Sequence, residues 1–261
     1  MTKGFITYAN QEFKDVLLLL LEGLAHFSSH PVCVVALDSE IEKAVADFAN
    51  VISQRRPSPK GSEEMFRAKL QAAVDSPFDK SVLLDADNVP NRDVDALFEI
   101  PSEKFHYPLA PRHGCDPQNQ AEIMKCLGCV AKTMPYVQAN YVFGPRGKEF
   151  LAERVLPSYE KLLECPVDNM NYDETVLNVE LWKAGAIYSL NSFNPFHETF
   201  DHWERGEPFN AWHVMADYYP KDVISYQVFH GAKDPVRARN MLDKLKAKEN
   251  GFLPPPRIIL P

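Results

Sequence analysis

The chain lacks any long apolar run. Its longest, Val16-Leu-Leu-Leu-Leu-Leu21, falls far short of the roughly 20 residues that cross a bilayer. The opening Met1-Thr-Lys-Gly-Phe-Ile-Thr7 has no apolar core of a secretory signal, so a cytoplasmic protein without a membrane span is expected. A basic excess is also missing: Lys and Arg total 28 against 36 Asp and Glu, a formal net charge of −8. The molecule as a whole therefore offers no electrostatic footprint for nucleic acid, and any phosphate site must be built locally. Cysteine is sparse and odd in number, five in all, which excludes a disulfide framework and leads us to expect reduced thiols in the cytosol. Cys126-Leu-Gly-Cys129 has the spacing of half a zinc site or a redox pair. No second such pair exists, and thiols borne on a helix or loop are the expectation. Internal repeats and low-complexity tracts are absent as well.

What remains is an ordinary globular composition, 45% apolar and 25% charged over 261 residues, enough for one domain with a sizeable core. Phe5-Ile-Thr-Tyr-Ala9 is β-prone, and residues 12–27 form an apolar helix behind a cap-like Asn10. Pro31-Val-Cys-Val-Val-Ala-Leu-Asp38 is the β-branched run of a strand covered on both faces. Residues 41–52 read as a second helix and residues 54–62 as a polar, proline-containing loop. Residues 63–74 form a helix with Phe66, Leu70 and Ala73 on one stripe and Arg67 and Lys69 off it. Alternating strands and helices of this kind build a mostly parallel sheet.

The chemistry gathers at Lys80-Ser-Val-Leu-Leu-Asp-Ala-Asp-Asn-Val-Pro90. A buried strand there delivers Asp85 and Asp87 to its C-terminal tip, where open α/β sheets bind ligands. Two carboxylates suit a hard divalent cation that keeps positions open for phosphate oxygens; solvated turn residues are the plain alternative. Downstream lie a long Pro- and His-rich stretch over residues 101–120 and a strand over 136–144 bearing Gln138 and Asn140. A helix over 148–163 is interrupted by Pro157. Asn171-Tyr-Asp-Glu-Thr-Val-Leu-Asn178 opens another helix with Asp173 and Glu174 in its first turn, where acidic residues also suit the helix dipole. Residues 187–216 mix aromatic and polar side chains, either a sugar platform or a small aromatic core. The last strand, Val223-Ile-Ser-Tyr-Gln-Val-Phe229, runs into His230-Gly-Ala-Lys233, and a basic helix follows from Asp234-Pro235 to about residue 248. An imidazole can complete a metal site with two carboxylates, a glycine admits a diphosphate and a lysine neutralises it.

Five segments in order resemble the GT-A class of nucleotide-sugar glycosyltransferases, and most closely its glycogenin-like family 8: Phe5-Ile-Thr-Tyr-Ala-Asn10, Lys69, Leu84-Asp-Ala-Asp-Asn-Val-Pro90, Asp173-Glu-Thr-Val-Leu-Asn178 and Val228-Phe-His-Gly-Ala-Lys233. The resemblance implies a Rossmann-like GT-A domain over the whole chain, residues 1–100 serving the nucleotide and 101–250 the acceptor. It implies that Thr7, Tyr8 and Asn10 line the nucleotide and that Asp85, Asp87 and His230 hold Mn2+ or Mg2+. Lys69, Asp85, Asn140, Gly231 and Lys233 would contact the donor, a UDP-sugar, with Asp173 or Glu174 at the reacting carbon or the acceptor. The expected reaction moves a sugar to the hydroxyl of a carbohydrate or other acceptor, with the family favouring retention. Two rivals stand beside it. Leu-Leu-Asp-Ala-Asp-Asn-Val also resembles the nucleophile strand of haloacid-dehalogenase-type phosphatases, although that motif usually opens its domain. The other is a sugar-nucleotide fold kept only as a binding module.

Overall fold

The computed structural model describes residues 1–90, 92–99, 117–129, 141–165, 172–184, 228–229 and 233–247. Its centre is a five-stranded sheet in the order β3-β2-β1-β4-β6. The strands are β1 (Lys3–Ala9), β2 (Val32–Ala36), β3 (Val51–Arg55), β4 (Lys80–Leu83) and, after the short β5 (Val89–Pro90), β6 (Tyr141–Phe143). β1, β2, β3 and β4 run parallel, and β6 pairs antiparallel with β4. The helices between them are α1 (Lys14–Phe27), α2 (Ser39–Val45) and α3 (Ser62–Val74).

The sheet forms because its strands carry two apolar faces. Phe5, Val32, Val34 and Val82 join one core layer with Leu17, Leu20, Leu21 and Leu24 of α1. The alternate residues Ile6, Cys33, Val35 and Leu83 join the other, with Leu70 and Ala73 of α3. A period of two that places apolar groups on both sides keeps the register unambiguous and buries every strand residue of β2. The mixed, mostly parallel sheet expected from the strand and helix alternation is what forms.

One expected element is wrong. Residues 41–52 are not a single helix: α2 stops at Val45, and the chain enters β3 at Val51. Asp38 caps α2 by accepting from the Ile41 amide at 2.9 Å. Val51 and Ile52 then open the edge strand β3, where β-branched residues fit the pleat better than a helix.

The second half is helical where it is described. It comprises α4 (Pro117–Cys126), α5 (Pro145–Phe150), a π-helical segment (Leu151–Val155), α6 (Leu156–Leu163), α7 (Tyr172–Lys183) and α8 (Pro235–Ala247), with β7 (Val228–Phe229) pairing antiparallel to β5. Pro157 does not break the helix. Having no N–H to donate, it is accommodated by widening of the preceding turn over Leu151–Val155. α8 lies on α1, where Met241, Leu242 and Leu245 pack with Leu19. Gly23 lets β5 close in, because a Cβ there would stand 2.6 Å from Pro90 Cγ.

A second correction concerns the thiols. Cys126, at the end of α4, is bonded to Cys165, just beyond α6. Two cysteines 39 residues apart gave no sequence sign of meeting, and the expectation of reduced thiols fails for this pair. The stretch over 101–116, the aromatic segment 187–216 and residues 223–227 of the expected last strand lie outside the described residues.

Candidate active site

Chain order fixes where the site must be. From β1 the chain steps outward to β2 and β3, then crosses back to β4 on the other side of β1. The strand order thus reverses between β1 and β4, and the carboxyl ends of the two strands flank a crevice. A cleft of about 730 Å³ opens there, floored by Tyr8, Ala9 and Asn10 from β1 and Asp85, Ala86 and Asp87 from the tip of β4.

Helix α3 supplies one wall. Ser62, Met65, Phe66 and Lys69 line the cleft, a spacing of three and four residues that puts them on one helical face. Leu70 and Ala73 are buried beneath it. The basic residues therefore divide: Arg67 pairs with Glu160 outside the cleft, whereas Lys69 is inside. Asp173 and Glu174, in the first turn of α7, and Lys233, just before α8, complete the lining.

Lys69 Nζ stands 2.7 Å from Asp85 Oδ1 and 3.3 Å from Asp173 Oδ2, with side-chain exposures of 7% for the lysine and 5% for Asp173. One ammonium thus ties β4, α3 and α7 together. Its charge lies 5.8 Å from the centre of the Tyr8 ring, within cation–π range. The Tyr8 hydroxyl donates towards Asp85 Oδ1 at 3.5 Å. Burial works against the Lys69 ammonium, but Asp85, Tyr8 and Asp173 outweigh it, and its pKa stands well above the ordinary lysine value. Tyr8 is likewise pushed well above an ordinary tyrosine, chiefly by burial. Both groups keep their protons at neutral pH.

The tip of β4 is held by backbone bonds. Leu84 N–H donates to Ile6 at 2.9 Å, and Asn88 N–H closes the turn on Asp85 O at 3.2 Å. Asp87 is buried to 5% exposure. The β5–β7 ladder sets Phe229 opposite Val89, so the segment preceding His230 is paired two residues from Asp87. On the opposite rim Asp38 accepts from the backbone of both Gln11 and Ile41, fixing the turn that carries Asn10 and Glu12. Asp38 had looked like the end of a strand; it caps α2 locally through Ile41, and its hold on the rim depends on a contact 27 residues back along the chain, with the Gln11 amide.

Most of the expected residues thus converge. Tyr8, Asn10, Lys69, Asp85, Asp87, Asp173, Glu174 and Lys233 line one cleft. Thr7 does not line it: it is buried within β1 at 1% exposure, on the alternate side of the strand from Tyr8. Asn140, His230 and Gly231 lie outside the described residues. Sequence reading missed the apolar residues of the lining, Phe13, Pro59 and Met65, and set Phe66 on the buried stripe of α3. Their only local sign was an exposed position for an apolar residue on an otherwise polar helix face or loop.

Comparison with known proteins follows this geometry. No family model and no curated protein matches the chain. Solved structures do. The galactosyltransferase LgtC, in complex with donor and acceptor sugar analogues, superposes with a TM-score of 0.60 at 14% identity over 92% of this chain and 95% of its own. An active-site glutamine-to-glutamate variant of LgtC gives 0.60 at 16% identity over 91% and 95%. The chain has the GT-A fold.

Proposed function

We propose that the protein is a metal-dependent glycosyltransferase that moves a sugar from a UDP-sugar to an acceptor hydroxyl. One observation carries this: at the switch point of a GT-A sheet, five carboxylates (Glu12, Asp85, Asp87, Asp173, Glu174) face only two lysines among the described residues of the cleft. Such a cleft repels a bare diphosphate and welcomes it once a divalent cation has entered. The apolar side chains in the lining, Phe13, Met65 and Phe66, offer surface to a nucleobase.

The residues present fit a hard cation. Asp85 and Asp87 are oxygen donors two residues apart on one turn, and His230 follows directly on a strand paired beside that turn. Among the described residues no three such groups stand together as a metal site; this reading assigns the third ligand to His230, which lies outside the described residues, on the resemblance given above. A divalent ion held by these residues would supply Lewis-acid stabilisation to a departing diphosphate.

The chain's own residues do the rest. Lys69 orients Asp85 and Asp173 together, and the Tyr8 ring supports that lysine from below. Lys233, which lines the same cleft, is the cation this reading assigns to the phosphate oxygens, as a point charge. Asp173 and Glu174, beside the metal carboxylates, are the groups to stabilise positive charge at the transferring carbon. Transfer with retention is the outcome this reading adopts, residues 1–100 forming the donor half and 101–250 the acceptor half. LgtC, of the same fold, was seen with donor and acceptor sugar analogues, which supports a two-substrate cleft. The Asp-x-Asp turn comes on the fourth strand of the chain, after three strand-to-helix units, which speaks against the phosphatase alternative.

The test is thermal stability with uridine diphosphate, with and without Mn2+. A ligand at about a hundred times its dissociation constant adds roughly 2.7 kcal/mol. Stabilisation by the nucleotide only in the presence of Mn2+, abolished in Asp87→Ala, is expected. Equal stabilisation without metal, or none under either condition, overturns the reading.

A further inference from the structure

Two segments that line the cleft are fastened to the carboxyl end of β2, one by Asp38 and one by Ser58. We infer that these two side chains are positioning residues for the nucleoside part of the donor. The inference rests on the nucleotide reading above and deepens it. Neither residue lines the cleft; each acts through a segment that does.

The sheet explains why this strand has the task. β2 lies between β1 and β3, so its end has the turn after β1 on one side and the loop after β3 on the other. Ala36 is paired with Ala9 of β1 and with Arg55 of β3. Leu37 N–H then donates to Ala9 O at 2.9 Å. Beyond that bond the strands part, and side chains continue what the backbone ladder began.

The Asp38 carboxylate has one oxygen for each of two duties. Oδ1 accepts from the Ile41 N–H at 2.9 Å and caps α2, while Oδ2 accepts from the Gln11 N–H. Gln11 opens a 3-10 turn, Gln11–Phe13, in which the Phe13 N–H donates to Asn10 O at 3.0 Å. On the other flank Ser58 Oγ donates to Leu37 O at 2.7 Å. The loop bearing Ser58 is tied to α3 through Arg56 with Asp75 at 2.7 Å and through the Lys60 N–H with Glu64 at 2.7 Å. Ser58 ties its middle to the sheet.

The two fastened segments bring Asn10, Glu12 and Phe13 from one flank, and Pro59 and Gly61 from the other, into the lining. None of the five is a cation. β2, to which both segments are fastened, lies across β1 from the acidic turn at the tip of β4. An amide, a carboxylate, a flat ring and a proline suit a base and a ribose better than a diphosphate. A rim held in place before the ligand arrives leaves less ordering to be done on binding, and affinity rises accordingly.

The test is calorimetric titration of the intact protein with uridine diphosphate and with inorganic pyrophosphate, Mg2+ being present in both arms. Asp38→Asn is the discriminating variant. Asparagine caps a helix as well as aspartate does, but its amide has one oxygen, and its nitrogen is a donor that cannot accept from the Gln11 N–H. The variant is expected to bind uridine diphosphate about tenfold more weakly and pyrophosphate as the wild type does, with little change in melting temperature. Ser58→Ala should weaken uridine diphosphate about threefold and spare pyrophosphate. In the ligand-free protein, hydrogen exchange at the Gln11–Phe13 amides should quicken about tenfold in Asp38→Asn while β2 is unchanged. Should Asp38→Asn fail to fold, Ser58→Ala carries the same comparison of probes. Equal weakening of both probes, which a merely structural role would give, overturns the inference. So does unchanged exchange at Gln11–Phe13, or wild-type affinity for uridine diphosphate in both variants. A wild type that binds uridine diphosphate no better than pyrophosphate overturns the donor reading and this inference together, whereas a wild type that prefers it beside unaffected variants overturns this inference alone.

Discussion

The two ends of α7 each present a buried acid, and they are treated in opposite ways. Glu180 is 2% exposed at its side chain, and its carboxylate takes Ser158 Oγ at 2.6 Å, Lys183 Nζ at 2.6 Å and Arg154 Nε at 3.3 Å. Ionised acid and donors are matched within two packed helices, so this carboxylate is a structural joint. Asp173, two turns earlier, shares one ammonium with Asp85, in a cleft that also holds Asp87 and Glu174. Among the described residues this cleft holds more acids than cations, a balance suited to a positively charged visitor. The difference teaches how to tell a buried carboxylate that holds a fold from one that serves a site: by whether its partners use up its charge.

The most drastic way to break this comparison is Lys69→Met. It leaves the buried Asp173 and the half-buried Asp85 with no shared cation, and unfolding stability should fall by about 3–5 kcal/mol, the usual cost of breaking a buried pair. Urea denaturation measures it. Mn2+ should restore part of the loss in this variant, a recovery that a mere packing defect would not show.

Smaller and more discriminating is a crossed pair. Glu180→Gln should cost roughly 2 kcal/mol in the same denaturation assay, through weakened bonds to charged partners, while leaving nucleotide-dependent stabilisation intact. Asp173→Asn should cost less than about 1 kcal/mol of stability yet reduce transfer at least roughly tenfold, the loss expected of a group stabilising developing charge. If both variants lose stability alike and neither affects transfer, the contrast between the two ends is false.

The pH dependence sharpens the same point. Lys69 has its pKa raised in the folded protein by its carboxylate partners. Its contribution is therefore complete below the unfolded value of about 10.4, and it is lost as pH rises through the higher folded value. The stability gap between wild type and Lys69→Met should stay constant from pH 7 to 9. Above the lysine range it should narrow by at most about 1.4 kcal/mol per pH unit.

The smallest effect belongs to the surface reference. Glu22 pairs with Arg239 at 2.6 Å and with Lys246, joining α1 to α8. With side chains a quarter to nearly half exposed, Lys246→Ala should change stability by only about 0.5 kcal/mol, and less in high salt.

Much of the site was legible because its elements have local signatures. A three-residue apolar run, Val82-Leu-Leu84, ending in Asp85 and Asp87 reads as a strand tip wherever it occurs, and acids in a first turn announce the start of α7. The stripe of α3 was half legible: Leu70 and Ala73 marked the buried face, but nothing local told Lys69 from Arg67. That choice belongs to the sheet and α7, which put two carboxylates beside one lysine and left the other to Glu160. β3 was misread for a similar reason. Residues 46–52 can satisfy either a helix or a strand locally, and the open edge of β2 offered the backbone bonds that decided it.

By itself, then, the amino-acid sequence determined the alternation of strands and helices, the two-faced apolar strands and the acidic turn, because each depends on side chains within a few residues. The tertiary structure alone decided which lysine neutralises the acidic turn, that Asp38 fixes the far rim, and that Cys126 meets Cys165. Each of these joins groups far apart along the chain, and only the folding of the helices onto the sheet supplies the distance.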